Sequence, residues 1–132
     1  MRTVIYQIDV EIVAPVNPTE DLTRVIDAIT NIFPNATVTE SVGELIASTH
    51  SIDRFVELLE KQRIRETART TLHDQVVDDT ITFAISKQAA LEEVVNFALA
   101  QPAELGDIVV SIRVEQPDPH QLIEQLLRPE DD

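Results

Sequence analysis

Residues 3 to 14 alternate between apolar and polar positions and then run straight into a helix-start signal, and no other stretch constrains the fold as much. Val4, Tyr6, Ile8, Val10 and Ile12 fall on one face and Gln7, Asp9 and Glu11 on the other, the period of a strand with one dry side. The next residues, 17-NPTE-20, predict a helix with Asn17 as N-cap, Pro18 at the first helical position and Glu20 completing a capping box. Val25, Ile26, Ile29, Ile32 and Phe33 give that helix an apolar stripe, and Pro34 with Asn35 ends it. A strand that is dry on one face and a helix with one apolar stripe must cover each other, which predicts an α+β domain with the first strand central or well covered.

Further along, residues 36 to 47 read as a strand interrupted at Gly43, and Ser51 caps a helix over 52 to 60 that buries Ile52, Phe55, Val56 and Leu59. At about 100° per residue, continuing this helix through residue 72 would turn Ile64, Ala68 and Leu72 away from the first stripe. The spacing therefore predicts a kink, or two helices meeting near Gln62. An acidic turn, 74-DQVVDD-79, precedes a strand over 80 to 85. In the segment 86 to 100, Leu91, Val94, Val95 and Ala98 fit a helix while VVNFAL has strand composition, so 94 to 99 stays open between the two. Residues 107 to 115 form a strand, and 118-DPHQ-121 repeats the capping logic before a helix carrying Leu122, Ile123, Leu126 and Leu127. The expected organisation is one α+β domain over 1–128, a curved mixed β-sheet packed by helices, followed by a frayed acidic tail at 129–132.

A net charge of −14 could signal disorder, but 43% hydrophobic content places the charge on the surface of a folded core. The absence of cysteine excludes a disulfide framework, a thiolate zinc site and a cysteine nucleophile. Two lysines and eight arginines stand against 24 acidic residues, a balance that suits concentrated salt, where screening acts within about 3 Å at 1 M; an acidic protein of ordinary origin is the other reading. Acidic residues inside the first apolar stretch make it a strand, not a leader, and no stretch is long enough to span a membrane, so the expected location is the cytoplasm.

Against this background 61-KQRIRETAR-69 stands out. It carries Lys61, Arg63, Arg65 and Arg69 with one acidic residue, net +3, whereas the rest of the chain holds 6 basic and 23 acidic residues and is −17. Guanidinium groups match phosphate oxygens bidentately, so the run predicts a phosphate-binding surface. Arg65 and Arg69 lie at i and i+4 and share a helix face with Lys61, while Arg63 points elsewhere and reads as structural, so any RNA contact is expected to run through Arg65 and Arg69 with Lys61 assisting. The competing reading ties these arginines to Glu60, Glu66 and Asp53 as structural ion pairs. With no tryptophan and four phenylalanines placed as core, nucleic-acid contacts would go to phosphate and sugar, not to stacked bases.

Other constellations carry less. His73, Asp74, Asp78 and Asp79 lack regular ligand spacing, so no metal is assigned, and His50 and His120 read as loop and helix-start residues. Two glycines cannot build a Gly-rich phosphate loop, no serine sits in a nucleophile elbow, and neither a cofactor nor a catalytic motif is expected.

Five stretches in order, APVNPTED (14 to 21), NIFPNA (31 to 36), QRIRETAR (62 to 69), SKQAA (86 to 90), and VNF (95 to 97) leading to LGDIVV (105 to 110), resemble a small archaeal family of predicted RNA-binding proteins proposed to associate with the exosome. The resemblance implies a fold similar to that of the ribosomal protein contacting 5S RNA. It implies RNA contacts at Arg63, Arg65 and Arg69 and at Lys87 and Gln88. The sequence departs from the pattern at Ser86, where the family has asparagine, and at Glu92 and Glu93, which place negative charge beside Lys87 and rank it below the arginines. Two functions follow as expectations. One is a non-enzymatic RNA-binding protein, linked to an RNA-processing complex, that grips backbone through the helix at 62–69; the other is an assembly module forming a homodimer or meeting an acidic partner.

Overall fold

The structure is a computed structural model that describes residues 6–98 and 106–127; Val4 and the tail at 129–132 lie outside them. Its framework is a six-stranded sheet in the order β2-β3-β1-β6-β5-β4. The strands are β1 (Gln7–Pro15), β2 (Thr37–Ser41), β3 (Glu44–Thr49), β4 (Val76–Val77), β5 (Thr80–Ile85) and β6 (Ile108–Gln116). Five helices accompany them: α1 (Leu22–Ile32), α2 (Asp53–Lys61), α3 (Arg65–Asp74), α4 (Lys87–Leu91) and α5 (Pro119–Leu127). Among the described residues no helix is long and apolar enough to cross a membrane.

The first strand behaves as its alternation requires. Ile8, Val10, Ile12 and Ala14 are buried while Gln7, Asp9 and Glu11 are exposed, and β1 sits inside the sheet between β3 and β6. The same alternation in β5 and β6 buries Ile81, Phe83, Ile85, Ile108, Val110, Ile112 and Val114, so one sheet face carries the core and the other meets water. Every strand pair is antiparallel, in place of the mixed sheet expected from the sequence. The reason lies in the interruption at Gly43. Val42 and Gly43, the latter at φ +74°, turn β2 back as β3, so the strand returning beside β1 is the second of a hairpin and runs against it.

The helix-start signal is displaced. Glu20 does reach back to Asn17, accepting from its backbone N and from Nδ2 at 3.0 Å each, but these bonds close a separate turn. The N-cap of α1 is Asp21, whose carboxylate accepts from Thr23 N at 2.9 Å. Ser51 likewise supports the start of α2 only through a long 3.4 Å contact with Asp53 N, one residue beyond the predicted start. By contrast Asp118 caps α5 as the spacing predicts, its Oδ1 accepting from Gln121 N at 2.9 Å with Pro119 at the first position.

The segment left open at 94–99 is neither helix nor strand as far as residue 98. Helix α4 ends at Leu91, Glu93 turns the chain at φ +59°, and Phe97 makes a single bridge to Ile85. Phe33, Phe55, Phe83 and Phe97 form one aromatic cluster. Phe55 lies at its centre with ring centroids 5.8, 5.3 and 6.4 Å from the other three.

Candidate nucleic-acid interface

The predicted break falls inside the basic island and is built as a helix-ending turn. Ile64 N donates to Leu59 O at 3.1 Å and Arg63 N donates to Glu60 O at 3.1 Å, with Arg63 at φ +61°. This is the six-to-one and five-to-two pattern in which the left-handed residue is usually glycine. Between Lys61 and Arg63, Gln62 turns inward, its Nε2 donating to Val95 O at 3.0 Å and its Oε1 accepting from Val95 N at 2.7 Å. The two flanking cations consequently face outward. Lys61 and Arg63 are exposed, and neither side chain makes an ion pair among the described residues.

Beyond the turn the arginines are engaged. Arg65 lies 3.5 Å from Glu60. Arg69 donates through NH1 to Glu66 and through Nε to Glu124 of α5, both at 2.7 Å. Glu124 also meets His73 Nε2 at 2.6 Å, and His73 Nδ1 approaches His120 Nδ1 at 2.6 Å with the rings stacked, a contact that needs one nitrogen protonated and the other bare. The hydrogen bond from His73, followed by that from Arg69, holds the Glu124 carboxyl below the ordinary carboxylate range. The same bond to Glu124 raises Arg69 further above its usual value. Two carboxylates predicted as partners, Glu60 and Glu66, are therefore correct, while Asp53 instead accepts from the Tyr6 hydroxyl at 2.8 Å.

The other predicted RNA contacts lie elsewhere in the fold. Lys87 is buried at 6% exposure; its ammonium donates to Pro15 O at 2.6 Å and to both carboxylate oxygens of Glu20 at 2.9 and 3.1 Å. Burial alone would raise the Glu20 carboxyl, but the bonds from Lys87 and Asn17 outweigh it and hold Glu20 below the ordinary range. The neighbouring Gln88 is exposed. No group of three or more potential metal ligands gathers among the described residues, and His73 turns to His120 and Glu124. Glu124 and His120 are not legible as partners in the sequence, since a contact between Arg69 and a residue 55 positions away leaves no local spacing to read.

A family model described as RNA binding matches residues 9–116. A UPF0201 protein of Methanothermobacter thermautotrophicus is 40% identical over 106 residues, covering 78% of this chain and 80% of the relative. A UPF0200/UPF0201 protein of Archaeoglobus fulgidus is 38% identical over 108 residues, 81% of this chain, but the chain spans about a third of that relative's length (33%). Among solved structures, the 2.2 Å crystal structure of a UPF0201 protein from Methanococcus jannaschii matches with a TM-score of 0.84 at 35% identity, over 93% of this chain and 95% of that one.

Proposed function

Because the chain belongs to the archaeal family described as RNA binding, we propose that it holds an RNA backbone at the turn between α2 and α3, with Lys61 and Arg63 as first contacts and Arg65 and Arg69 behind them. The observation that carries this reading is Arg63. A left-handed backbone is unfavourable for an arginine by roughly 1–2 kcal/mol, and glycine would occupy it without strain. An exposed, unpaired guanidinium kept at such a position is explained by a use for the side chain. Arg65 and Arg69 can join only by exchanging a carboxylate for a phosphate, which the guanidinium fork accommodates in the same geometry. Lys87 takes no part, its ammonium being held under Glu20.

Long-range attraction does not help on a chain of net charge −14, so the contacts are short-ranged and read shape and backbone, with a place in RNA processing as the corresponding role. The test compares structured RNA binding by wild type, Lys61→Ala/Arg63→Ala and Arg65→Ala/Arg69→Ala. At least a tenfold loss is expected for the first pair and a smaller loss for the second. Wild-type affinity in both double variants would remove the island from the interface.

A second reading, assembly with another copy or an acidic partner, draws on the outermost strands. Val42 beside β2 is fully exposed at 100% and Val77 in β4 is 70% exposed, and light scattering of the protein in concentrated salt measures whether it self-associates.

A further inference from the structure

Two of the stretches singled out in the sequence, NPTED and SKQAA, are not absorbed by the island, and the fold brings residues of both, with Gly106, to one cavity of about 650 Å³. That size lies within the range of roughly 300–1,000 Å³ typical of small-molecule pockets. Its walls come from the first turn of α1, the start of α4 and the approach to β6 at Gly106. Its lining includes a largely enclosed pair: Glu20 and Lys87 are 11% and 7% exposed, and the Lys87 ammonium also holds Pro15 O, fixing α4 against the chain that enters α1. Toward the C-terminal end of α1, Asn31 Nδ2 donates to Ala90 O at 3.0 Å and ties α1 to α4. The walls are thus set by hydrogen bonds before anything enters.

The lining is also electrically unusual for this molecule. Glu20 and Asp21 are balanced there by Arg24 and Lys87, whereas the whole chain is −14, so an anionic group meets less repulsion here than over most of the surface. Leu91, half-buried, supplies an apolar wall with the buried Val25 behind it. Arg24 and Gln88 are exposed at the rim, and neither side chain is hydrogen-bonded among the described residues.

An apolar wall, an amide able to donate and accept, and a guanidinium match the face of a base, its edge and the phosphate of a nucleotide. Building on the RNA-binding reading above, we infer that this cavity receives one unpaired nucleotide of the bound RNA, its base against Leu91, its base edge on Gln88 and its phosphate on Arg24. A paired base cannot enter a concave site without leaving its stack, so the cavity selects single-stranded or bulged RNA, while the Lys61–Arg63 turn holds backbone of either kind.

Isothermal titration with a single-stranded oligoadenylate and with a fully paired RNA duplex of equal length, both in concentrated salt, tests this. The expected result is tighter binding of the single strand, at least a tenfold loss of that binding in Arg24→Ala and in Gln88→Ala, and duplex binding unchanged in both. Circular dichroism checks that each variant is folded. If RNA binds but neither substitution alters single-strand affinity, the cavity inference falls and the RNA-binding reading stands. If wild type binds neither RNA, the reading beneath it fails as well.

Discussion

The side-chain amide of Gln62 pairs with the backbone of Val95 as one strand residue pairs with another, donating at 3.0 Å and accepting at 2.7 Å. Two helix-ending turns are joined by this contact. Gln62 closes α2, and Val95 follows the turn in which Glu93 N donates to Ala90 O at 3.1 Å and Val94 N to Ala89 O at 2.9 Å. The outward direction of Lys61 and Arg63 depends on Gln62 facing in.

Replacing Gln62 with alanine should therefore destabilise the fold by about 2 kcal/mol, two part-buried hydrogen bonds at roughly 1 kcal/mol each. Urea denaturation gives the total. Amide hydrogen exchange at Val95 localises it, since that N–H loses its acceptor; unchanged protection there would show that the clamp does not operate in solution.

Arg63→Gly should separate stability from function. Relief of the left-handed backbone should stabilise by about 1 kcal/mol, while RNA affinity falls because the guanidinium is gone. Glu93→Gly, at the partner turn with φ +59°, is the comparison, relieving similar strain without removing a cation. Denaturant midpoints and RNA titrations on both variants measure the two effects.

Breaking the buried pair from one side should be severe. Lys87→Met leaves the part-buried Glu20 carboxylate, 11% exposed, without its cation and should cost up to about 3 kcal/mol, whereas Lys87→Met combined with Glu20→Leu should recover much of the loss. The thermal midpoints of the single and double variants decide whether the pair is coupled.

Acid should weaken the fold through the same carboxylates. Glu20 and Glu124 have folded-state pKa values below the unfolded value of about 4.3, so each adds stability that is complete above that value and is lost as pH falls through the folded one. Urea midpoints should drop from below about pH 5 downward, and Glu20→Gln should flatten part of that slope.

Stability should also rise with salt. Carboxylates dominate a surface of net charge −14, and their mutual repulsion weakens as the screening length shrinks from roughly 10 Å at 0.1 M to 3 Å at 1 M. Thermal melts across that range should move upward; a flat response would remove the case for adaptation to concentrated salt.

Local patterns that a single element satisfies were readable from the residues. The period of two in Ile8, Val10 and Ile12 gave a half-buried strand, the rotated stripe of Ile64, Ala68 and Leu72 gave the break at Gln62, and Asp118 gave a cap, because each needs only neighbours in sequence. What failed was decided by distant partners. Glu20 makes the bonds back to Asn17 that a capping box needs, yet it shares its carboxylate with Lys87, 67 positions away, and α1 starts at Leu22 under Asp21 instead. Val94 to Phe97 fit two periods and take neither, since Gln62 occupies the backbone groups that a regular element would use. In the island, the basic residues were visible but not which of them would be held by acids, and Glu124 reaches Arg69 from another helix.

The central seam of the sheet joins β1 to β6, with Ile8 opposite Val114 and Val10 opposite Ile112. For a chain made from its N-terminal side, this sets an order of events on the ribosome. The first strand is available early, but one of its two edges stays open until β6 has emerged, and at roughly 5–20 residues per second that wait is on the order of ten seconds. During it, the hairpin of β2 and β3 can cover one edge of β1, and the other remains open to pairing with another nascent chain. Asp9 and Glu11, on the wet face of that strand, keep charge beside the unpaired edge throughout the interval.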